Sequence, residues 1–431
     1  MIQGFSSGLI GNRELIYETD LPSFQRDFAA LKTLDHGTGP AITFTRASGA
    51  TYFDANGVLQ TATNNTPRFD HDPANGASRG LLIEESRSNL HLYSQDFSQG
   101  WVATASSALA VDSTQTGLDG TLSVGAFTCS DDTQISRRLR PLNDIAIVSG
   151  TEYTFSAYLK PINGWPMAML HFSTGVGVVS QYGIATFNLL TGTVASTVLG
   201  TATITAAGNG WYRCSLTSSG NLFTTVRPKI VLVDSSDDTA AEAVTGITGA
   251  GVYVWGAQLE AGLFPTSYIP TTTAAATRAA DSAVVTPISS FYNGTESTVF
   301  SETSAASVAF DSTVLAINNT TQNEQLDHRY GIAGLNTRVR VGGVNQAAFT
   351  LGSAPVSGTV YKLIGAYKQN DFAFSVNGST ASTDSLGDMP TGLSQMEIGR
   401  RTNSGILTGH IRKLAYWPKR LSDTLLQQLT T

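Results

Sequence analysis

Residues 252–272 read VYVWGAQLEAGLFPTSYIPTT, and this stretch predicts both a strand and the end of a folded unit. Successive side chains of a strand point to opposite faces. One predicted face carries Tyr253, Trp255, Ala257 and Leu259, and the other carries Val252, Val254, Gly256, Gln258 and Glu260. The second face changes from apolar to polar, so we expect its end to meet water, a metal or a ligand.

The residues after this strand show no periodic pattern of apolar and polar side chains. Pro265 and Pro270 cannot donate to a β-ladder, and the Thr- and Ala-rich residues that follow show neither alternation nor an amphipathic stripe. We therefore expect a linker over residues 271–285. It would separate a middle domain, residues 86–272, from a C-terminal domain, residues 286–431, with residues 1–85 as a small N-terminal region.

The composition favours strands over helices. Charged residues make up 14% of the 431 residues, against about 25% in average soluble chains, and there are 42 glycines. Exposed helix faces normally draw on Glu, Lys and Arg, whereas this chain is rich in Thr, Ser, Gly and Asn. We expect a mostly β protein of two or three domains.

Charge and cysteine content exclude several classes of function. A net charge of −7 without a long basic run argues against nucleic-acid binding. We expect no membrane insertion, since no apolar run approaches spanning length, and the N-terminus lacks the features of a signal peptide. Cys129 and Cys214 are predicted to be buried free thiols rather than a disulfide.

Local patterns place several elements. In PSFQRDFAALKTL, residues 22–34, Phe24, Phe28 and Leu31 have helical spacing, and a strand remains the alternative. Turns are predicted at residues 54–57, 191–192 and 377–378. The C-terminus predicts a strand that Pro418 ends and a short helix with Ser422 as its N-cap.

Three groups of motifs together resemble bacteriophage virion proteins, tail-fibre and head-spike proteins in particular. They are FTRASGATYFDANGVLQTA with PRFDHDP and GLLIEESRSNL; VWGAQLEAGLFPTSYIPT with TRAAD; and IGRR with GHIRKLAYWPKRLSDTLLQQL. The middle region resembles jelly-roll carbohydrate-binding modules, and the last region resembles laminin-G or concanavalin A-like domains. The resemblance implies tandem antiparallel β-sandwiches behind an N-terminal virion-attachment region.

The resemblance also implies a role in the virion. The protein would be a structural component of a tail or head fibre that contacts host-surface polysaccharide and other virion proteins, as a homo-oligomer and, by analogy, a trimer. The alternative is a capsid decoration or adaptor protein that binds only other virion subunits. A glycan depolymerase is a third hypothesis.

Enzymatic motifs are weak, and we expect no catalysis. The Glu-x-Asp-x-x-Glu pattern of concanavalin A-like glycosidases is absent, and the adjacent Glu84 and Glu85 would point to opposite faces of a strand. Residues 4–8, GFSSG, match G-x-S-x-G without an upstream strand to present a nucleophile. Residues 70–72, Asp-His-Asp, have metal-ligand types, but a turn explains them as well.

Four residues are candidates for ligand binding. Sugar recognition needs a flat aromatic ring with amide, hydroxyl or charged groups nearby. Trp165 lies between Gly164 and Pro166, outside strand periodicity, and Tyr158, Lys160 and Gln258 lie on the predicted non-core face. The alternative for Trp165 is that it caps the core or an intersubunit contact.

Glu84 and Glu260 are candidate metal ligands. They lie near the first and last strands of the middle region, so neighbouring strands would bring them together, as in jelly rolls with a structural calcium. Oxygen ligands from both ends would then fix the domain termini. The alternative is that both carboxylates are solvated.

Overall fold

Alternating side chains build long antiparallel sheets throughout the chain. The computed structural model describes residues 21–431 except 105, 174–181, 219, 221–223, 236–242, 309–310 and 403. Its strands form two β-sandwiches, which we call the middle sandwich (residues 86–272) and the terminal sandwich (residues 21–85 with 276–431). The predicted fold class, mostly β with tandem antiparallel β-sandwiches, is confirmed.

The N-terminal part contributes seven strands and a one-turn helix, α1 (Phe28–Leu31). The strands are β1 (Phe24–Asp27), β2 (Thr43–Thr45), β3 (Ala50–Phe53), β4 (Leu59–Ala62), β5 (Phe69–His71), β6 (Ser78–Ile83) and β7 (Arg87–Asn89).

The middle part contributes the next fourteen described strands. They are β8 (Trp101–Ala103), β9 (Ser107–Asp112), β10 (Val124–Cys129), β11 (Gln134–Pro141), β12 (Ile145–Ala146), β13 (Tyr153–Ile162), β14 (Met167–Ser173), β15 (Ile184–Asn188), β16 (Thr193–Leu199), β17 (Thr201–Ala206), β18 (Tyr212–Thr217), β19 (Thr225–Val233), β20 (Ala243–Thr245) and β21 (Gly251–Ala261).

The C-terminal part ends in helix α2 (Asp423–Thr430). Its strands are β22 (Ala276–Arg278), β23 (Ser282–Val285), β24 (Glu296–Ala305), β25 (Ser312–Asn318), β26 (Gln325–Gly331), β27 (Gly334–Val341), β28 (Val344–Leu351), β29 (Tyr361–Lys368), β30 (Asp371–Val376), β31 (Ser382–Asp384), β32 (Gln395–Ile398) and β33 (Gly409–Trp417).

Each sandwich consists of two sheets over its own core. In the middle sandwich the sheet orders are β17-β18-β13-β21-β10-β9 and β16-β15-β14-β19-β11-β20. In the terminal sandwich they are β31-β30-β29-β24-β33-β6-β5, with β1 also on β33, and β2-β23-β32-β25-β26-β27-β28. Phe155, Leu170 and Val231 lie in the middle core, and Ile83, Leu363 and Tyr416 lie in the terminal core.

The N-terminal strands belong to the terminal sandwich, which differs from the separate region predicted for residues 1–85. Phe24 pairs with Tyr416, Phe44 with Ala283, and Ile83 with Gly409. The reason is burial, because the apolar side chains of β1 and β6 enter the same core as those of β33. The middle sandwich is therefore inserted between two parts of the terminal sandwich.

Residues 22–34 contain both predicted alternatives in sequence. Residues 24–27 form β1, and α1 follows with Asp27 as its cap, accepting a hydrogen bond from Ala30 N. Leu31 is 39% exposed, so the predicted helical stripe does not extend to it.

A bulge at Gly256 changes the faces predicted for β21. Ser156 pairs with Gln258 and Tyr158 with Trp255, so two residues of β21 oppose one residue of β13, and Gly256 has φ +59°. The bulge therefore shifts by one residue which side chains of β21 point to each face of the sheet. Val252, Val254, Ala257 and Leu259 enter the middle core, whereas Trp255 packs on the other side of the sheet with Tyr268.

The predicted turns and termini are confirmed. β3 and β4 flank residues 54–57, β15 and β16 flank Thr191-Gly192, and β30 and β31 flank Asn377-Gly378. Ser422 accepts a hydrogen bond from Leu425 N at the start of α2. Cys129 and Cys214 are buried free thiols. Neither helix in the described chain has the length and apolar character needed to cross a bilayer.

Two buried histidines make stability depend on pH. His91 stacks on Trp101 with ring centroids 4.4 Å apart, and His328 Nε2 lies 3.0 Å from the Tyr367 hydroxyl. Burial lowers the pKa of His91 to about 4 and that of His328 to about 3, from 6.5. Both side chains are thus neutral in the folded protein at neutral pH.

We expect the free energy of unfolding to fall as the pH is lowered from 6.5 towards 4. Only the unfolded chain binds these protons in that range, so the two histidines add a slope of about two protons, and stability is complete above 6.5. Urea titrations at several pH values measure this slope, and His91→Gln should reduce it by about one proton. A stability that is constant or rises on acidification would contradict the burial of both neutral rings.

Candidate functional site

The four residues predicted to bind a sugar do not form an exposed surface in the structure. Trp165 is 2% exposed, lies in the middle core and donates from Nε1 to Met167 O at 2.8 Å. Tyr158 is 2% exposed and Gln258 is fully buried. The position of Trp165 agrees with the alternative, in which it caps the core. The sequence did not indicate this burial, because a Gly-Trp-Pro turn lacks the alternation of apolar and polar residues that marks a buried strand face.

The other three candidates do share the non-core face of one sheet. Tyr158 packs edge-on against Trp255, with centroids 5.6 Å apart. Gln258 donates to Glu260 Oε1 at 2.6 Å and accepts from Ile269 N at 2.7 Å. Lys160 Nζ donates to Gln115 Oε1 at 3.2 Å. These contacts support neighbouring segments of the protein, and Trp165 is on the opposite side of the sheet.

Glu84 and Glu260 are buried and hydrogen bonded, which excludes the solvated alternative. Glu84 accepts from Ser267 N at 2.7 Å and Ser267 Oγ at 2.6 Å. Glu260 accepts from the adjacent Thr266, at 2.9 Å from N and 2.7 Å from Oγ1. The two carboxylates therefore bind two consecutive residues, Thr266 and Ser267, of the Pro265–Pro270 segment.

These carboxylates belong to a buried ionic group that we call the junction cluster: Arg46, Arg68, Glu84, Glu260, Arg278 and Asp281. Asp281 bridges Arg46 Nη1 at 3.0 Å and Arg68 Nη2 at 2.6 Å. Glu84 Oε2 lies 2.7 Å from Arg68 Nη1 and 3.1 Å from Arg278 Nη1. The three guanidinium groups balance the three carboxylates in charge.

The junction cluster joins the segments where the middle sandwich enters and leaves the terminal sandwich. Glu84 follows β6, Glu260 is near the end of β21, and Arg278 and Asp281 lie in the predicted linker. Arg278 Nη1 donates to Thr266 Oγ1 at 3.0 Å and links the Glu260 part of the cluster to the Glu84 part. The motifs that resemble virion proteins supply all six residues.

The residues present do not fit a calcium ion. Calcium takes six to eight oxygen ligands. Guanidinium, amide and hydroxyl donors instead surround the Glu84 and Glu260 oxygens, and no group of three or more His, Cys, Asp and Glu side chains among the described residues could hold a metal. Arginine thus provides the positive charge that the sequence assigned to a metal.

Ion pairing determines the protonation of the cluster. Burial would raise the pKa of Glu84, but Arg278, Arg68 and the Ser267 hydrogen bonds lower it well below its ordinary value. Burial lowers the pKa of Arg278 despite the opposing effect of Glu84. Glu84 is therefore a carboxylate at neutral pH.

Residues 70–72 also have structural contacts. Asp70 accepts from Phe53 N at 2.7 Å and lies 2.8 Å from His410 Nε2, and Asp72 pairs with Arg79 at 3.0 Å. His71 Nδ1 contacts Phe53 O at 3.1 Å. Asp72 begins the predicted turn, whereas Asp70 and His71 lie in β5. The G-x-S-x-G match at residues 4–8 lies outside the described residues.

A cleft between the two sandwiches is the candidate functional site. Its volume is about 1030 Å³. One wall is the outer face of β17 and β18, including Thr203, Thr205 and Arg213. The facing wall comes from the terminal sandwich, where residues 304–308 and 357–358 line it. The β5–β6 turn and the Phe264 segment contribute further lining.

Hydroxyl groups dominate the polar lining of this inter-sandwich cleft. Both walls supply them, namely Thr201, Thr203, Thr205, Ser218, Ser304 and Ser357. Thr201, Thr203 and Thr205 are exposed because alternation along β17 turns every second residue outward. Thr203 Oγ1 lies 2.6 Å from Ser215 Oγ on the neighbouring strand.

Three arginines reach the cleft, and two of them are paired. Arg79 contacts Asp72 at 3.0 Å, and Arg412 contacts Glu302 at 2.7 Å. Arg213 has no ion pair with any described carboxylate. The cleft therefore combines hydroxyl groups with the Arg213 guanidinium, and the exposed carboxylate of Glu152 also lies on its lining.

Sequence reasoning missed this cleft. The polar period in TATITA, residues 201–206, and YRCSLT, residues 212–217, indicates two neighbouring strands with a hydroxyl-rich face and could have identified one wall. The other wall depends on the position of one sandwich relative to the other, and local sequence periodicity gives no information about that position.

Sequence comparisons identify no family. No protein-family model and no curated protein matches the chain.

The structure is similar over about a third of its length to solved β-sandwiches. The CBM40 module of the Ruminococcus gnavus IT-sialidase, bound to α2,3-sialyllactose, has a TM-score of 0.29 and 15% identity, covering 32% of this chain and 84% of the module. The SAP-like pentraxin of Limulus polyphemus has a TM-score of 0.26 and 14% identity, covering 32% of this chain and 70% of the pentraxin chain. The NanB sialidase of Streptococcus pneumoniae has a TM-score of 0.29 and 16% identity, covering 33% of this chain and 25% of the sialidase chain. Similarity this weak carries no argument about function.

We expect Asp281→Ala to lower the free energy of unfolding by about 3–5 kcal/mol, because it leaves Arg46 and Arg68 buried without their shared carboxylate. Chemical unfolding followed by tryptophan fluorescence measures the loss. The control is Asp371→Ala, which removes a carboxylate that is 50% exposed and 2.9 Å from Arg420, and should cost at most about 1 kcal/mol. Equal effects of the two variants would contradict a stabilising junction cluster.

Proposed function

We propose that the protein is a structural component of a bacteriophage tail fibre or head spike that binds host-surface glycans in the inter-sandwich cleft, without catalysing a reaction. The motif resemblance supports the virion part of the proposal. Assembly with other virion subunits, and with further copies of the chain, belongs to the same proposal.

The observation that carries glycan binding is the hydroxyl lining on both walls of the cleft. Sugar hydroxyls are donors and acceptors at once, and Ser and Thr hydroxyls match them in either role. Thr203 and Thr205 are fixed on a strand in one wall, and Ser304 and Ser357 are in the other. A cleft between domains also surrounds a ligand on two sides, which a flat strand face cannot do.

The Asp72 carboxylate of the cleft supports binding rather than hydrolysis. A glycosidase needs an acid whose pKa is raised, opposite a second carboxylate. Burial would raise the pKa of Asp72, but hydrogen bonds from Ala74 N and the Arg79 guanidinium lower it overall. Asp72 is thus an ionised partner of Arg79 and unsuited to the role of a general acid.

We expect Thr205→Phe to weaken glycan binding at least about tenfold, because the ring fills the cleft where an exposed threonine now lies. A glycan array and binding to whole host cells measure the loss, and a melting curve checks folding. The matched control is Thr197→Phe, since Thr197 is an exposed threonine on β16 outside the cleft lining.

Two results would contradict the proposal at different levels. Wild-type protein that binds no glycan and no host envelope would remove glycan binding and favour the adaptor alternative. Wild-type binding that Thr205→Phe leaves unchanged would remove the cleft as the site. Release of reducing ends from host polysaccharide would overturn the non-enzymatic assignment.

A further inference from the structure

Arg213 is the charged residue of the inter-sandwich cleft whose positive charge no described carboxylate neutralises. Its described hydrogen bond runs from Nη2 to Ser156 Oγ at 3.1 Å. Its Nε is buried and has no hydrogen-bond partner in the described chain. The Nε atoms of Arg68 and Arg278 are buried without a partner in the same way, so what distinguishes Arg213 is its place in the cleft lining without an ion pair.

The Arg213 side chain is held in place before any ligand arrives. Arg213 lies in β18 between Thr205 of β17 and Tyr158 of β13. Its guanidinium carbon lies 5.3 Å from the centroid of the Tyr158 ring, and that ring is buried. Stacking on a fixed ring orients the planar guanidinium and reduces the entropy lost when it binds a partner.

The other ionic groups of the cleft do not satisfy Arg213. Asp72 is engaged by Arg79, Glu302 by Arg412, and Asp70 by His410. Glu152 is exposed on the lining and forms no ion pair with Arg213. A negative charge delivered by a ligand would therefore meet, among hydroxyl groups, a guanidinium that has no ion pair with a described carboxylate.

We infer that Arg213 makes the cleft selective for glycans that carry a carboxylate, such as uronate or sialate residues. This inference rests on the proposed glycan binding. The guanidinium and the carboxylate are both planar, so they form paired, charge-assisted hydrogen bonds that a neutral sugar hydroxyl cannot form. Thr203 and Thr205, beside Arg213, then bind the hydroxyls of the same sugar.

The test uses probes that differ only at the carboxylate. Glucuronate- and sialate-bearing oligosaccharides are compared with their carboxyl-reduced forms by calorimetry on the full chain. We expect wild-type protein to bind the acidic forms about 10- to 100-fold more tightly. Arg213→Gln should remove this difference, and a cooperative melting transition checks that the variant is folded.

Two further variants separate recognition from general charge effects. Arg213→Lys keeps the positive charge without the planar fork and should retain part of the preference. Arg140→Gln changes an arginine of β11 in the other sheet of the middle sandwich and should leave the preference intact. Added salt should reduce the wild-type preference because it screens the new ion pair.

The possible results test the role of Arg213 separately from the proposed glycan binding. Equal wild-type affinity for acidic and reduced forms would overturn the role of Arg213 and leave glycan binding intact. An acid preference that persists in Arg213→Gln would also overturn it. Failure to bind either form, together with an unresponsive array, would remove the glycan-binding proposal itself.

Discussion

The arrangement of the whole molecule depends on the buried ion pairs between Asp281, Glu84 and three arginines. Asp281 contacts Arg46 and Arg68, and Glu84 contacts Arg68 and Arg278, all away from water. Charges buried in this way are tolerable only when each has its partner, and hydrogen bonds from Ser267 to Glu84 and from Arg278 to Thr266 connect this ionic group to the middle sandwich. The cluster thereby fixes the two chain crossings, before β7 and after β21, in one geometry. Its main contribution is to define this arrangement, since buried ion pairs do not always increase stability over apolar packing.

Two consequences of backbone geometry then determine where a ligand could bind. The Gly256 bulge turns Trp255 away from the middle core and keeps Ala257 and Leu259 within it, so both faces of β21 are buried. Further along the same sheet, the outer face of β17 remains exposed as a hydroxyl-rich wall, and Arg213 of β18 reaches the cleft beside it. The terminal sandwich stands opposite this wall because the junction cluster holds it there. The cleft is thus a product of the insertion and belongs to neither sandwich alone.

Local sequence patterns predict the strands, the turns at Asn377-Gly378 and Thr191-Gly192 and the Ser422 cap, because each depends on neighbours within a few residues. They do not predict the N-terminal strands as part of the terminal sandwich, since Phe24 and Tyr416 meet only in the folded chain. The TRAAD segment has no period because Arg278 and Asp281 make ionic contacts rather than apolar ones. Glu84 and Glu260 do join one structure, as their positions predict, but the partner is arginine, whose approach from residues 46, 68 and 278 is a tertiary event. Local alternation does not show that Trp165 lies in the middle core, and the pattern of β18 does not indicate that Arg213 lines the cleft.

The central claim is that the two sandwiches hold one fixed relation, and a distance measured across the cleft tests it most directly. Nitroxide labels on Thr205→Cys and Ser357→Cys would report on the two walls, while the native Cys129 and Cys214 are buried and free. Pulsed electron paramagnetic resonance should give one narrow distance distribution in the absence of ligand. A broad or multiple distribution would show that the sandwiches move independently and would contradict a cleft built by the junction cluster.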